Sequence, residues 1–193
     1  MPHFLVALIF VSLALVTSVR ADDNTDAAWA ALGRGAIALI RHPETVGGGS
    51  GDPPGFRLDD CTTQRPLNAR GRQNARALGE ALRRRGISVQ RLLSSQWCRC
   101  LETGILMDIS PAQPFAPLNN VFYQPEGAGA QVAALKQLIV EWKGPGALIL
   151  ISHNSTITAF TGVSLAEGET VVIEPQPGAA RGLRVVGRIP PPR

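Results

Sequence analysis

Two short, uninterrupted apolar runs stand out in the hydrophobic pattern of this chain, at residues 35–40 and 147–151. Runs of this length without alternating polar residues are typical of strands buried on both faces of a sheet. Residues 89–95, 170–174 and 183–189 predict three further strands. The pattern therefore indicates a sheet whose central strands are covered on both sides.

Apolar residues at helical spacing separate several of these strands. One segment predicts a helix that begins after Asn68, a favourable N-cap residue, and ends at Gly86, which favours a helix C-terminus. Residues 97–107 and 131–142 predict two more helices, and a short strand is expected near Phe115. Because strands alternate with helices, we expect an α/β fold: a three-layer α/β/α sandwich with a mainly parallel central sheet.

Two segments carry no periodic pattern. Residues 22–34 are expected to form a polar lead-in that docks through Trp29. Residues 43–67 are rich in Gly and Pro and are expected to form a long, mobile loop. Since no repeat or linker interrupts residues 22–193, we expect a single domain there.

The N-terminal 21 residues have the layout of a secretory signal peptide. Their apolar run, residues 4–16, is shorter than the roughly 20 residues that span a bilayer. Val19 and Ala21 supply small residues at a cleavage site. Removal of residues 1–21 would place the protein in the periplasm or outside the cell, without stable membrane insertion. An uncleaved membrane anchor is the alternative.

Charge and cysteine content refine this picture. The formal net charge is only +4, and no block of like charge is present, so no nucleic-acid partner is expected. In an oxidising compartment Cys61 is expected to pair with Cys98 or with Cys100. Three reduced thiols are the alternative.

Polar residues suited to phosphate follow three of the predicted strands. The first apolar run leads into Arg41 and His42, the second into His153, and the strand between them into Arg99. Because the carboxyl ends of parallel strands meet at one edge of a sheet, these side chains should converge. Guanidinium groups bind phosphate oxygens bidentately, and the helix N-terminus after Ser95 can add N–H donors.

Four segments resemble motifs of the histidine phosphatase superfamily, in its phosphoglycerate mutase-like branch 1. In chain order they are Arg41-His42-Pro43-Glu44-Thr45, residues 67–75, residues 94–103 and Leu150-Ile151-Ser152-His153. The resemblance implies a phosphoglycerate mutase-like fold and a phosphatase in which His42 is the nucleophile and forms a phosphohistidine. It implies that Arg41, Arg99 and His153 hold the phosphoryl oxygens. The usual glycine after the histidine is Pro43 here, which predicts a reshaped pocket.

The proton donor for the leaving group is left open by the sequence. Asn120 stands where many members of the family carry a glutamate. Glu126, or one of Asp52, Asp59 and Asp60 in the loop, could serve instead. The alternative to an enzyme is therefore a catalytically impaired phosphate-binding module of the same fold. A mutase is less favoured, because an exported protein rarely meets sugar-phosphate pools.

No cofactor or metal is expected. Only two histidines follow the signal peptide, and neither a His-Glu-x-x-His motif nor a Gly-Lys-Ser/Thr loop is present. The expected partner is a small phosphorylated substrate, for which an envelope saccharide phosphate is one candidate.

Overall fold

A computed structural model describes residues 24–48 and 51–192 and contains a six-stranded sheet between two layers of helices. The predicted signal peptide, residues 1–21, lies outside the described residues. Within the described ranges, no helix has both the length and the apolar character needed to cross a bilayer.

The structure contains six strands and five α-helices in its described part. The strands are β1 (Ile37–Arg41), β2 (Val89–Ser94), β3 (Ala112–Pro114), β4 (Ala147–Ser152), β5 (Thr170–Pro175) and β6 (Leu183–Ile189). The helices are α1 (Thr25–Gly33), α2 (Ala69–Arg84), α3 (Cys98–Met107), α4 (Ala128–Glu141) and α5 (Asn154–Thr161). All the predicted strands and the three predicted helices are therefore present.

The sheet has the order β3-β2-β4-β1-β5-β6. The first four strands in this order are parallel, β5 runs antiparallel to β1, and β6 runs antiparallel to β5. The register places Arg41 beside Ser152 and Ser94 beside Ile151. The carboxyl ends of β1, β2 and β4 therefore lie side by side, as the mainly parallel sheet predicts.

Alternating residues of the central strands face two separate cores. In β1, Ala38 and Ile40 pack with apolar residues of α1, α2 and α3. Ile37 and Leu39 face the opposite side, where they pack with residues of α4 and α5. All four side chains are buried. This arrangement confirms the three-layer sandwich and explains why the run from 35 to 40 lacks polar alternation.

Residues 22–34 were expected to be a polar lead-in, and this expectation is wrong, because residues 25–33 form helix α1. The Asn24 side chain caps the helix by accepting a hydrogen bond from the Ala27 N–H. Trp29 packs against the core, with the Arg85 guanidinium 4.1 Å from its ring centre. Docking through Trp29 is therefore confirmed, but through a helix.

The loop between β1 and α2 is attached to the domain at several points. Thr45 pairs with Leu67 across the base of the loop. A disulfide joins Cys61 to Cys98 at the start of α3, and the Asp52 carboxylate bonds to Arg99. The described residues of this long loop are therefore attached at the carboxyl edge of the sheet, and its mobility stays a prediction.

Candidate active site

A cavity of about 210 Å³ opens at the carboxyl edge of the parallel strands. The four predicted site residues, Arg41, His42, Arg99 and His153, all line it. The other lining residues are Gly51, Arg65, Asn120, Phe122, Asn154 and Ser155. Among the residues that the structure describes, no Asp or Glu lines this cavity, so its wall is strongly cationic.

His42 follows β1 directly and is held by the neighbouring strand β4. Its backbone N–H donates to the Ser152 carbonyl on β4, at 3.0 Å. Its ring Nδ1 lies 2.9 Å from the Pro43 carbonyl, and Nε2 lies 3.2 Å from the Nε of Arg99. Since a carbonyl can only accept and a guanidinium can only donate, these partners assign the proton to Nδ1 and a lone pair to Nε2.

The surroundings of His42 keep its imidazole uncharged. Burial lowers the pKa of His42 most, and the positive charges of Arg99, Arg41 and Arg65 lower it further. The hydrogen bond to the Pro43 carbonyl acts in the opposite direction, and the resulting pKa is about 3. His42 is therefore a neutral base with an available nitrogen at physiological pH.

His153 lies beside His42, with the two ring centres 5.3 Å apart. Its Nδ1 accepts from the Nη2 of Arg99 at 3.4 Å, so its Nε2 carries the proton and donates to the Ser95 hydroxyl at 2.9 Å. Ser95 in turn donates to the Asn119 side chain. Burial, followed by the charges of its neighbours, lowers the pKa of His153 well below its ordinary value.

Arg99 is the centre of the site, because its guanidinium contacts both imidazoles and one carboxylate. It is 3% exposed and forms an ion pair of 2.7 Å with Asp52, whose side chain is 0% exposed. Burial on its own raises the pKa of the Asp52 carboxyl, but hydrogen bonds from Arg65 and Arg99 outweigh burial and lower that pKa. Asp52 is therefore ionised and paired.

Arg65 lines the cavity, and the sequence analysis missed it. Its Nη2 donates to the Thr45 hydroxyl at 2.8 Å, whereas its Nε and Nη1 are buried without a hydrogen-bond partner in the described part of the chain. In the described part of the chain, the Nε of Arg41 is also buried without a hydrogen-bond partner. One sequence signal could have identified Arg65. It directly precedes Pro66 and the Asn68 N-cap, and these two residues restrict the backbone conformation at this point.

The structure does not provide the N–H donors that we expected at the start of α3. The N–H of Gln96 donates to the Asn119 side chain, that of Trp97 to the Ser95 hydroxyl, and that of Cys98 to the Gln64 side chain. These groups are occupied within the protein. Helix α5 begins at the cavity instead and has no side-chain cap, so its positive end lies beside the anion site.

None of the carboxylates considered as proton donors lines the cavity. The Asp52 carboxylate is paired with Arg99. Asp59 and Glu126 are exposed to solvent outside the cavity. Asp60 caps the turn at Thr62. Asn120 does line the cavity, where its side-chain oxygen accepts from the Ser155 hydroxyl at 2.5 Å. An amide therefore occupies the place at which the resemblance predicts an acid.

The cysteine alternatives are resolved in favour of one pair. Cys61 and Cys98 form the disulfide, and Cys100 is free and buried. Burial raises the pKa of the Cys100 thiol to about 12, so it is not a nucleophile at neutral pH. Over residues 24–48 and 51–192, no three His, Cys, Asp or Glu side chains cluster closely enough to hold a metal ion.

One sequence profile of a protein family matches part of the chain. The sequence profile of the histidine phosphatase superfamily (branch 1) matches residues 37–114, which include Arg41, His42 and Arg99. No curated protein matches the chain significantly in sequence.

Solved structures of phosphatases share the fold. The protein histidine phosphatase SixA complexed with tungstate is 18% identical, with a TM-score of 0.56 over 81% of this chain and 97% of its own. The ecdysone phosphate phosphatase from Bombyx mori, also with tungstate, is 15% identical, with a TM-score of 0.59 over 83% and 94%. A mycobacterial glucosyl-3-phosphoglycerate phosphatase is 14% identical, with a TM-score of 0.56 over 78% and 95%.

The likeness extends over nearly the whole length of these structures, and at such identities it establishes the fold. The fold and the matched segment support a phosphatase or phosphate-binding role. The catalytic roles of Arg41, His42, Arg99 and His153 stay predictions. Residues 37–114 therefore match the histidine phosphatase superfamily (branch 1), and the chain shares the fold of the solved phosphatases.

Proposed function

We propose that this protein is an exported, metal-independent phosphatase that hydrolyses a small phosphate ester through a phosphohistidine on His42. One observation carries the proposal: the Nε2 lone pair of His42 lies at the wall of a cavity lined by three arginines and no described carboxylate. Such a cavity favours a phosphoryl group, because guanidinium forks match phosphate oxygens in charge and geometry.

In the first step, Nε2 of His42 attacks phosphorus and the bond between phosphorus and the leaving oxygen breaks. As the phosphoryl group enters, Nε2 of His42 exchanges its contact with the Nε–H of Arg99 for phosphorus, and the Arg99 guanidinium donates to the phosphoryl oxygens. Within the described ranges, buried N–H groups of Arg41 and Arg65 have no partner, and a phosphoryl oxygen would satisfy them. Together the arginines offset the charge that phosphoryl transfer places on these oxygens.

In the second step, water attacks phosphorus, the bond to Nε2 breaks and inorganic phosphate leaves. The proton lost by water passes to solvent or to the departing phosphate, and His42 returns to its neutral form. Throughout, the Pro43 carbonyl holds the Nδ1 proton, so the ring stays in the tautomer that can attack again. Three guanidinium groups supply the positive charge that a metal ion would otherwise provide.

The missing carboxylic acid sets the class of substrate. With Asn120 at the cavity, the leaving oxygen must depart without a proton from an enzyme carboxyl group. Absence of a general acid typically costs roughly 10² to 10⁴ in rate for a poor leaving group. We therefore propose that the substrate has a leaving group of low pKa, such as an aryl, acyl or similarly activated phosphate.

Export is proposed from two features. The layout of residues 1–21 is that of a signal peptide, and the disulfide between Cys61 and Cys98 suits an oxidising compartment. An envelope saccharide phosphate is the less favoured candidate, because its alcohol is a poor leaving group without an acid to protonate it. The exposed Phe122 ring and the uncharged Asn120 and Ser155 at the cavity would suit a hydroxyl-rich group.

The experiment compares the wild type with His42→Ala in hydrolysis of 4-nitrophenyl phosphate, with a chelator present and residues 1–21 removed. We expect the wild type to turn over and the variant to lose at least 100-fold in kcat, with an acid-labile phosphate trapped on the wild type only. Equal rates in both proteins would refute the proposal that His42 is the nucleophile.

A phosphate-binding module without turnover is the second candidate, and the absence of a described carboxylate at the cavity favours it. The same proteins distinguish it from an enzyme. Tungstate binding by isothermal titration, without any hydrolysis across aryl, acyl and saccharide phosphates, would establish the module and refute the phosphatase.

A further inference from the structure

Asp52 is buried behind Arg99 and does not line the cavity. Its Oδ1 accepts from the Nη1 of Arg99 at 2.7 Å and from the backbone N–H of Arg65 at 2.9 Å. Its Oδ2 accepts from the indole N–H of Trp97 at 2.9 Å, and its own backbone N–H donates to the Tyr123 hydroxyl. The carboxylate thus joins two of the three cavity arginines, Arg99 and Arg65, to Trp97, and the Asp52 backbone adds Tyr123.

These contacts orient the whole Arg99 guanidinium. Each of its three nitrogens has a different partner: Nη1 donates to Asp52, Nε to His42 and Nη2 to His153. Three of the five N–H groups are therefore used, and one remains on each Nη atom. Of these three hydrogen bonds, the one to Asp52 is the shortest and the only one to a charged group. It therefore sets the plane of the Arg99 guanidinium.

The presence of the Asp52 carboxylate beside the cavity is not explained by electrostatic attraction to the substrate. A negative charge close to an anion site opposes phosphate binding, and Asp52 lies within hydrogen-bond distance of Arg99. A buried carboxylate also carries a desolvation cost. Its contribution to a phosphatase must then come from the position that it imposes on Arg99.

The geometry points to Asp52 as a positioning residue, which holds the Arg99 guanidinium so that its two remaining N–H groups meet the phosphoryl oxygens. Asp52 does not touch the substrate. The inference rests on the proposed function, because the orientation of Arg99 matters through transfer of the phosphoryl group.

The test is Asp52→Asn, which keeps the shape of the side chain but removes its charge. Its single amide oxygen can accept either from Arg65 and Arg99 or from Trp97, and its NH₂ group can only donate. We expect kcat for 4-nitrophenyl phosphate to fall 10- to 100-fold. We also expect the dissociation constant for tungstate to stay the same or to decrease, because a repelling charge is lost. A merely structural residue would not separate kcat from anion affinity in this way.

Two controls isolate the effect. Asp59→Asn removes an exposed carboxylate from the same loop and should leave both constants unchanged. In an Arg99→Ala background, Asp52→Asn should lower kcat by less than threefold, since its effect passes through Arg99. Trp97→Phe removes one hydrogen bond from the carboxylate and should lower kcat in the same direction, to a smaller extent, if Asp52→Asn fails to fold.

A measurement independent of turnover separates this inference from the proposed function. In ¹⁵N NMR of the wild type, the ion pair with Asp52 should slow rotation of the Arg99 guanidinium and give separate Nη signals, which merge in Asp52→Asn. Separate signals in the variant would overturn the inference, whether or not the wild type hydrolyses phosphate. Equal kcat in wild type and variant, or parallel loss of kcat and tungstate affinity, would also overturn it.

Discussion

At the scale of single residues, the chemistry of the site depends on which hydrogen-bond partner each polar atom has. His42 is a nucleophile candidate because a carbonyl holds one ring nitrogen and a guanidinium approaches the other. Asp52 is an unsuitable acid because each of its oxygens accepts a hydrogen bond from its neighbours. Residue identity alone does not distinguish these states.

A substitution at Arg65 tests whether its guanidinium N–H donors, and not only its charge, contribute to phosphate hydrolysis. In Arg65→Lys the charge is kept, but the buried Nε and Nη1 donors are lost. Hydrogen bonds to charged groups contribute about 1.5 to 3 kcal/mol, so we expect kcat/KM to fall about 10- to 100-fold. Steady-state kinetics with an aryl phosphate measure this. Arg57→Lys, at an exposed arginine of the same loop, is the control, and an equal loss there would contradict the prediction.

Asn120 offers a test of the missing acid. Asn120→Asp places a carboxyl group at the cavity, where it can protonate a leaving oxygen. We expect hydrolysis of alkyl phosphates to rise relative to aryl phosphates by about 10- to 100-fold, and this gain to disappear as pH rises and the new carboxyl ionises.

Asn154→Asp is the matched control, since it adds the same charge at another lining residue. If both variants change the ratio of alkyl to aryl rates equally, the gain is a general effect of charge and Asn120 is not at the leaving group.

At the scale of elements, the loop between β1 and α2 supplies side chains that the sheet and the helices do not bring to the site. It carries Asp52 and Arg65, and its disulfide from Cys61 to Cys98 ties it to the residue before Arg99. One covalent link therefore ties the loop that carries Asp52 and Arg65 to the helix that carries Arg99.

Removal of this link tests its contribution. The double variant Cys61→Ser and Cys98→Ser should lower the free energy of unfolding by about 3 to 4 kcal/mol, since the bond closes a loop with a sequence separation of 37. Urea unfolding measures the loss, and kcat should fall in the folded variant. A reducing agent should reproduce both effects in the wild type and change nothing in the variant. A stable, fully active variant would contradict the prediction.

Helix α5 shows why some elements escape sequence reasoning. Its residues include four Thr or Ser and one Ile, which have weak helix propensity, so no helix was predicted. Ile157 and Phe160 are buried against the sheet, and this packing stabilises the helix. Tertiary burial has outweighed local preference.

At the scale of the whole molecule, burying two imidazoles among arginines links stability to pH. The folded pKa of His42 is about 3, whereas an unfolded histidine titrates near 6.5. Between these values the unfolded chain binds a proton at His42 that the folded protein does not bind. The lowered pKa of His153 acts in the same direction.

We therefore expect the free energy of unfolding to fall as pH is lowered from about 6.5 towards 4, by up to about 1.4 kcal/mol per pH unit for each histidine. Above pH 7 this contribution is constant. Asp52 acts only at lower pH, since its pKa is below the ordinary value. Urea unfolding between pH 4.5 and 7.5 measures the slope, and His42→Gln should reduce it. An unchanged slope in His42→Gln would contradict the prediction.

The sequence by itself determined the sandwich and the convergence of four residues. Buried strands must be apolar on both faces, and parallel strands bring their carboxyl ends to one edge, so the order of apolar runs already locates Arg41, His42, Arg99 and His153. These conclusions depend on local patterns, which can be recognised along the chain.

Only the tertiary structure decided the partner of Cys61, the place of Arg65 and the ionised, paired state of Asp52. Each depends on contacts between segments 13 to 47 residues apart. The physical reason is that charge state and orientation follow from burial and from the partners of each atom, and these exist only once distant segments have packed together.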